Sequence, residues 1–395
     1  MDITVSNILL LRSVRPNLSQ KEFDDIKLLS KSNVHWEIFL NNAIQNRLSS
    51  IVYKTFSNSN ILENIPKHIF DNLQKYYYKT LSKNTVLYSY FTLFLQECYN
   101  KDIQVVALKG IFLADNVYGD IGIRQLSDID LLVHEKDANN CAEILIQMGF
   151  VFDNSLIKSD FIKSNKESKH LPMLVKDGVG VEIHTNIIIS NQKFHIPIED
   201  FWDNTEKHNV AGIDILAFNA NYLLLHICMH LDEHFEDAKI HFIAYIDILW
   251  ILETYKTTLD WNKFDKMCEQ YRCTSDVYSH LYICHKYFNA NISDSIKPKI
   301  ESYCDEYTEE YFIQQLQCNT NYSAKKKNRN ISELKRIKGL RNKLRFLIDD
   351  MFPSKLFMYK RYSINNPRTV YWYYIVRQID GIISLVKYIF RIKHI

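Results

Sequence analysis

Two aspartates, Asp128 and Asp130, stand two residues apart at the head of an apolar run formed by Ile129, Leu131, Leu132 and Val133. Residues i and i+2 of a β-strand project from the same face, so the spacing predicts two carboxylates side by side. On an otherwise apolar strand such a pair is costly unless cations neutralise it. Mg2+ (or Mn2+) suits oxygen ligands of this kind, taking one or two protein carboxylates and completing its shell with water and substrate phosphates. A third acid, Glu182 in VGVEIHTNI, falls on a later strand that could lie beside the first. Three carboxylates can hold two ions about 3.5–4 Å apart, one activating an attacking oxygen and one steadying a leaving pyrophosphate.

Such chemistry also needs a phosphate cradle. Lys109-Gly110 ends a β-branched run and leads into a helical pattern, where free N–H groups and the helix dipole favour anions. Gly110 lets a phosphate approach the backbone, and Arg124 could clamp one bidentately or serve as a structural ion-pair partner. His184, two beyond Glu182 on the same face, could touch nucleotide or acceptor, or pack as a core histidine. A separate row, His226, His230 and His234, recurs every fourth residue along one helix face. Histidines four apart can hold zinc, but the protease pattern needs Glu after the first His and Ile227 stands there. The row is read instead as cleft contacts or as packing against a neighbouring helix. Asp247, in AYIDILWIL, reads as a buried polar tie between helices.

The elements that position these residues follow from periodicity. From Asn17 to Asn100 apolar residues recur at spacings of three and four, as in Trp36, Phe39, Ala43 and again Tyr88, Phe91, Leu95. Ile103–Leu108 and Ile129–Val133 read as strands, Asp137–Gly149 as a helix with a glycine stop. Leu171–Val175 and Val179–Ile183 read as strands joined at Asp177-Gly178. Helical period returns from Asn219 onward, through Tyr222, Leu225, His226 and Met229. The predicted class is helix-rich α+β: a small mixed sheet over 101–215, flanked by an N-terminal helical region, 1–100, and a C-terminal helical domain, 216–395.

Composition agrees. The 395 residues hold only 9 Gly and 7 Pro, so tight hairpins should be few and helices many. Net charge is +2, which gives no whole-molecule call for nucleic acid. Charge is uneven, however: Ala324–Phe346 carries ten Lys or Arg against Glu333 alone, a stripe for an anionic partner or a solvated face. Asn319–Ile331 is the linker candidate, and Val370–Ile395 is an amphipathic basic tail. No run reaches 18 apolar residues, so no membrane span is expected, and the start carries no signal-peptide pattern. Eight cysteines without CxxC pairs point to reduced thiols and a cytoplasmic protein.

Lys109-Gly110, Arg124 with Asp128-Ile-Asp130-Leu-Leu-Val133, and Val181-Glu182-Ile-His184 together resemble the nucleotidyltransferase superfamily that includes DNA polymerase beta. More narrowly, the chain is similar to the uncharacterised bacterial nucleotidyltransferase family often encoded beside peptide natural-product biosynthesis genes. Trp36, the His226–Asp247 region and Phe352-Pro353-Ser354 extend the likeness. The resemblance implies Asp128, Asp130 and Glu182 as metal ligands, and Lys109, Gly110 and Arg124 around an NTP, ATP first among the nucleotides. It departs from the superfamily in having Lys-Gly where a Gly-Ser pair contacts phosphate, and Glu rather than Asp as third acid. The expected activity is NMP transfer to a peptide, protein or small-molecule acceptor, with nucleic acid less favoured. The alternatives are a non-catalytic nucleotide- or partner-binding protein on the same fold, and a phosphotransferase using the same metal site.

Overall fold

The computed structural model of the chain describes residues 3–57, 61–153, 169–187, 196–236, 242–303 and 306–317, with 348, 351–352, 358, 362 and 369–379. The fold is helix-rich α+β, with helices before and after one seven-stranded mixed sheet.

Before the sheet lie α1 (Val5–Ser13), α2 (Gln20–Ser30), α3 (Trp36–Gln45), α4 (Ser49–Ser57) and α5 (Lys67–Tyr99). A capping box between Ser19 and Glu22 starts α2, satisfying two backbone donors that the first turn leaves free. The long α5 buries Ile69, Leu73, Thr80, Asn84, Leu87, Tyr88, Phe91 and Leu95. Their near-3.6 period makes one continuous inward stripe. Two members of that stripe, Thr80 and Asn84, are polar, and Asn84 has work to do at the site.

The sheet and its crossovers run β1 (Val105–Leu108), α6 (Lys109–Asn116), β2 (Ile129–Val133), α7 (Ala138–Gln147), β3 (Val151–Phe152), β4 (Leu174–Lys176), β5 (Val179–His184), α8 (Ile198–Trp202), β6 (Thr205–Val210) and β7 (Ile213–Phe218). Strand order is β3-β4-β5-β2-β1-β7-β6. β2 lies antiparallel to β1 and parallel to β5, so the strand that carries Asp130 is central and its neighbours are fixed. Every residue of β1 and β2 is buried, as their unbroken apolar character requires. The β4–β5 turn puts Asp177 and Gly178 at φ 49° and 76°, the left-handed pair that matches strand twist in a two-residue hairpin. β6 and β7 form a second hairpin that the sequence reading did not separate out. TEKHNV has no alternating apolar face to announce a strand, because β6 is an edge and mostly open to solvent.

After the sheet come α9 (Ala220–Glu236), α10 (Ile243–Thr254), α11 (Trp261–Gln270), α12 (Thr274–Phe288), α13 (Lys297–Glu301) and α14 (Glu306–Leu316). α10 is apolar almost all round and buries nine side chains, Asp247 among them. One hydrophobic core runs from Leu9 to Leu316.

The chain divides into two compact units, Met1–Ile189 with Phe194–Ala324, and Ser190–Lys193 with Lys325–Ile395. In the second, Met358 and Val370 are buried beside Tyr362, Tyr373 and Tyr374. The basic segment 324–346, the linker candidate 319–331, Pro353-Ser354 and the tail from 380 lie outside the described residues. No described helix is long and apolar enough to cross a membrane. Cys98, Cys141, Cys228, Cys268, Cys273 and Cys284 are free buried thiols.

Candidate active site

The parallel pairing of β2 with β5 sets Asp130 opposite Glu182 and Leu132 opposite His184. Register partners on adjacent strands share a face, so the second aspartate and the glutamate converge by backbone geometry alone. His184 turns its Nε2 to Asp130 Oδ1 at 2.9 Å and to Glu182 Oε2 at 3.5 Å. One ligand atom each from Asp130, Glu182 and His184 fall within 4.8 Å of one another. Asp130 and His184 are buried, while Glu182 is partly open.

Lys109 approaches the same point. Its Nζ donates to Asp130 Oδ1 at 2.8 Å. Burial alone would raise the Asp130 carboxyl; the Lys109 and His184 partners overcome that and hold it well below the usual range. Burial likewise pushes Glu182 up, and the hydrogen bond from His184 brings it below its ordinary value. The Lys109 ammonium is penalised by burial and then raised above its ordinary value by Asp130, Glu182 and Asp128. One cation therefore sits in the field of all three acids. Its backbone is left-handed at φ 47°, a costly conformation for a residue with a Cβ. That conformation carries the chain from β1 straight into α6.

Gly110 follows because nothing larger fits. A Cβ there would meet Arg124 Nη1 at 2.4 Å and Leu126 Cδ2 at 2.6 Å. The guanidinium behind it does not point its fork outward: Arg124 Nε and Nη2 donate to Asp247 Oδ1 and Oδ2, both at 2.7 Å. Tyr118 Oη donates to the same carboxylate at 2.8 Å and stacks on Trp250. The bidentate face offered to a phosphate in the sequence reading is thus taken by a carboxylate of the chain itself. The alternative reading, an ion-pair partner, describes its contacts. Asp247 is a polar tie, joining α10 to the loop before β2 rather than to another helix.

That loop is clamped from α5. Asn84 Nδ2 donates to Ile121 O (2.5 Å) and Arg124 O (2.8 Å), and its Oδ1 accepts from Leu126 N (3.3 Å). Lys83 Nζ donates to Leu126 O at 2.9 Å. Asp120 accepts from Lys54, Tyr77 and the Gly122 amide. Asp128 itself lies one residue ahead of β2, with Ser127 Oγ donating to its Oδ1 at 2.7 Å. It stands outside the Asp130–Glu182–His184 group, and burial together with the Asp130 charge pushes its carboxyl up to about 6.

His226, from α9, is buried and feels the charges of Lys109, His184 and Lys169, which add to burial in lowering its pKa. Among the described residues its Nδ1 has no hydrogen-bond partner. His230 lies further out, its ring 6.3 Å from that of His226. His234 belongs to α9, but its side chain is not described. Four residues that sequence reading missed also stand here. Lys169 bonds Glu233, and His170 bridges to His184, because the segment 169–171 pairs with the end of β5. Arg47, in the turn between α3 and α4, and Lys83, on α5, lie in the field of Asp128. No local motif marks any of the four; only tertiary packing collects them.

The model of a family described as uncharacterised nucleotidyltransferase matches residues 32–289, which spans α3 to α12 and all seven strands. Neither a curated protein nor a solved structure matches the chain. The chain belongs to the uncharacterised nucleotidyltransferase family.

Proposed function

We propose that this member of the nucleotidyltransferase family moves a nucleoside monophosphate from an NTP, ATP first, to a hydroxyl of a peptide, protein or small-molecule acceptor. The observation that supports it most is the convergence of Asp130, Glu182 and His184 on one point beside the start of α6. The residues fit a divalent ion, Mg2+ or Mn2+. Separations of 2.9 and 3.5 Å from His184 Nε2 to the two carboxylates bracket the roughly 3 Å edge between adjacent ligands of an ion with bonds of about 2.1 Å. Asp130 and Glu182 would hold it with His184, and Asp128 would join from the turn. Such an ion supplies Lewis-acid charge at the phosphoryl oxygens.

The chain's own groups divide the remaining work. The Gly110 amide, at the open end of α6, donates to a phosphate oxygen. Lys109 holds Asp130 in the free protein and lies close enough to turn to the triphosphate when one enters. Glu182 Oε2, on the partly open side, accepts the acceptor's hydroxyl proton. The freed oxygen bonds the α-phosphorus, and the bond to the bridging oxygen breaks, its electron pair leaving on pyrophosphate. His226, on α9, and Lys169, in the segment paired with the end of β5, line the acceptor side. Free buried thiols support a reducing, cytoplasmic setting.

The Lys109–Asp130 ion pair favours one other reading, a nucleotide-binding protein without turnover, in which the ammonium permanently replaces a metal. Incubation with α- and γ-labelled NTPs, Mg2+ or Mn2+ and an acceptor panel, read by mass spectrometry, separates the readings. NMP transfer with pyrophosphate release is expected, lost in Asp130→Asn and reduced about 10²–10⁴-fold in Glu182→Gln. Transfer of γ-label would make the chain a phosphotransferase. Nucleotide binding without either transfer would support the non-catalytic reading.

A further inference from the structure

Arg47 closes α3 in an unusual way. Leu48 N donates to Ala43 O (2.7 Å) and Arg47 N to Ile44 O (3.0 Å), a helix end whose left-handed residue is ordinarily Gly or Asn. Here that residue is Arg47, at φ 61°. Buried Leu48 anchors the turn, and the arginine side chain is half-buried beside it. It forms no ion pair among the described residues, although its neighbourhood is charged. Burial and the nearby Arg124 guanidinium push it below its ordinary pKa, and Asp128 pulls the other way.

Lys83, on α5, is in the same position. Among the described residues its ammonium donates only to the Leu126 carbonyl, one of the three bonds it can make. Burial and the charge of Arg47 push it down, Lys79 adds to that, and Asp128 opposes. The turn that holds Arg47 leads into α4, whose Ser50 Oγ donates to Thr80 Oγ1 at 3.1 Å, one turn before Lys83 on α5. Lys83 in turn reaches the carbonyl two residues ahead of Asp128, so two half-buried cations are gathered by the Asp128 loop, and among the described residues no carboxylate is paired to either. A surface lined by charges of one sign attracts ions of the other, so this pair is suited to an anion. Lys83 also borders an open hollow of about 330 Å³ between α5 and the β4–β5 turn, shared with Lys79, Val86, Asp177 and Val179.

We infer that Arg47 and Lys83 form a polyphosphate subsite, contributed by the N-terminal helices, that takes the terminal phosphates of the nucleotide on the Asp128 side of the site. The inference rests on the nucleotidyltransfer reading for its ligand, but its residues lie outside the sheet that carries the acids. It accounts for the lost Gly-Ser contact: the loop before α6 offers one amide and Lys109, and Arg124 is committed to Asp247, so the outer phosphates need cations from elsewhere. Arginine suits that task because its fork grips phosphate oxygens in pairs.

The test is calorimetric titration of the full chain with inorganic tripolyphosphate, ATP and AMP, each with Mg2+. Wild type should bind tripolyphosphate and ATP, and bind AMP more weakly than ATP. Arg47→Gln and Lys83→Gln should each weaken tripolyphosphate and ATP about 10- to 100-fold, the loss expected for one charge-assisted contact, while leaving AMP unchanged. Thermal melting reports whether each variant folds, and Lys83→Gln, away from the strained turn, decides the matter if Arg47→Gln does not. Tripolyphosphate affinity unchanged in Lys83→Gln, or absent from wild type, overturns the subsite. Failure of the nucleotidyltransfer reading looks different: tripolyphosphate binding that depends on Arg47 and Lys83, with no transfer of nucleotide to any acceptor.

Discussion

Asp130 and Asp247 are both buried carboxylates facing a cation, and they are built to opposite ends. Asp247 receives Arg124 on both oxygens and Tyr118 on one of them. Asp130 receives Lys109 and His184 on the same oxygen, Oδ1, while Oδ2 accepts nothing from the described residues. The first arrangement is closed: a planar fork, fixed by two parallel bonds, has no reason to open. In the second, a single flexible ammonium meets a carboxylate with a lone-pair face to spare, beside a glutamate and a histidine. The saturated pair ties α10 to the loop before β2, and the unsaturated one leaves a face on which the proposed metal could bind.

The sharpest way to break this comparison is to remove one partner from each pair. Loss of Arg124 in Arg124→Met strands the Asp247 carboxylate in the α10 interior. Breaking a buried pair from one side should cost about 3–5 kcal/mol in denaturant unfolding, enough to threaten folding at ordinary temperatures. Lys109→Met should cost less, because Asp130 keeps His184 as a partner and the neighbouring Glu182 is partly open, giving water a way to the gap. Equal losses for the two variants would erase the distinction drawn here.

What the sequence disclosed follows the same line. Asp130 beside Glu182 was legible because strand alternation and neighbouring strands fix which side chains share a face. The helix-rich α+β class was legible from sparse glycine and a returning 3.6 period. Arg124 was only half legible: its partner Asp247 is 123 positions away on α10, and no local pattern carries that pairing. Asp128 and Asp130 were expected side by side on one strand. The strand begins at Ile129, so Asp128 sits in the preceding turn, bonded to Ser127. Lys109 could be named as a phosphate contact, yet its pairing with Asp130 depends on a left-handed backbone that propensity does not foretell. Arg47 and Lys83 were invisible, since a lone cation on a helix looks the same whether it faces solvent or a site.

A smaller effect probes the open side. The Asp128 carboxyl is raised from 3.8 to about 6 by burial and by Asp130. A raised acid contributes stability that is complete below the unfolded value and lost as pH rises through the folded one. Metal-free protein should therefore give up stability between about pH 4 and pH 6 as this group ionises. Asp128→Asn should melt about 2 °C above wild type at neutral pH, with the gap narrowing below pH 6 and closing toward about pH 4. Adding Mn2+ should reverse the order, because only wild type keeps all the ligands and gains from binding. A variant less stable than wild type at neutral pH without metal would show that the acid is not under strain.

The weakest expected effect lies at Asp120, which belongs to the structural side although it is near the surface. Lys54 from α4, Tyr77 from α5 and the Gly122 amide all donate to it, so it straps two helices to the loop that leads to Asp128. Burial would raise its carboxyl, but Lys54, the Gly122 amide and Tyr77 bring it below 3.8. A depressed acid contributes stability present above the unfolded value and lost as pH falls through the folded one, the reverse of Asp128. Asp120→Asn should thus lower the melting temperature by about 1 °C at neutral pH and flatten its decline below about pH 4. Because the strap holds the loop rather than the ligands, nucleotide affinity should fall only slightly. A large loss of affinity without loss of stability would move Asp120 from the scaffold to the site, and with it the boundary between the two kinds of carboxylate.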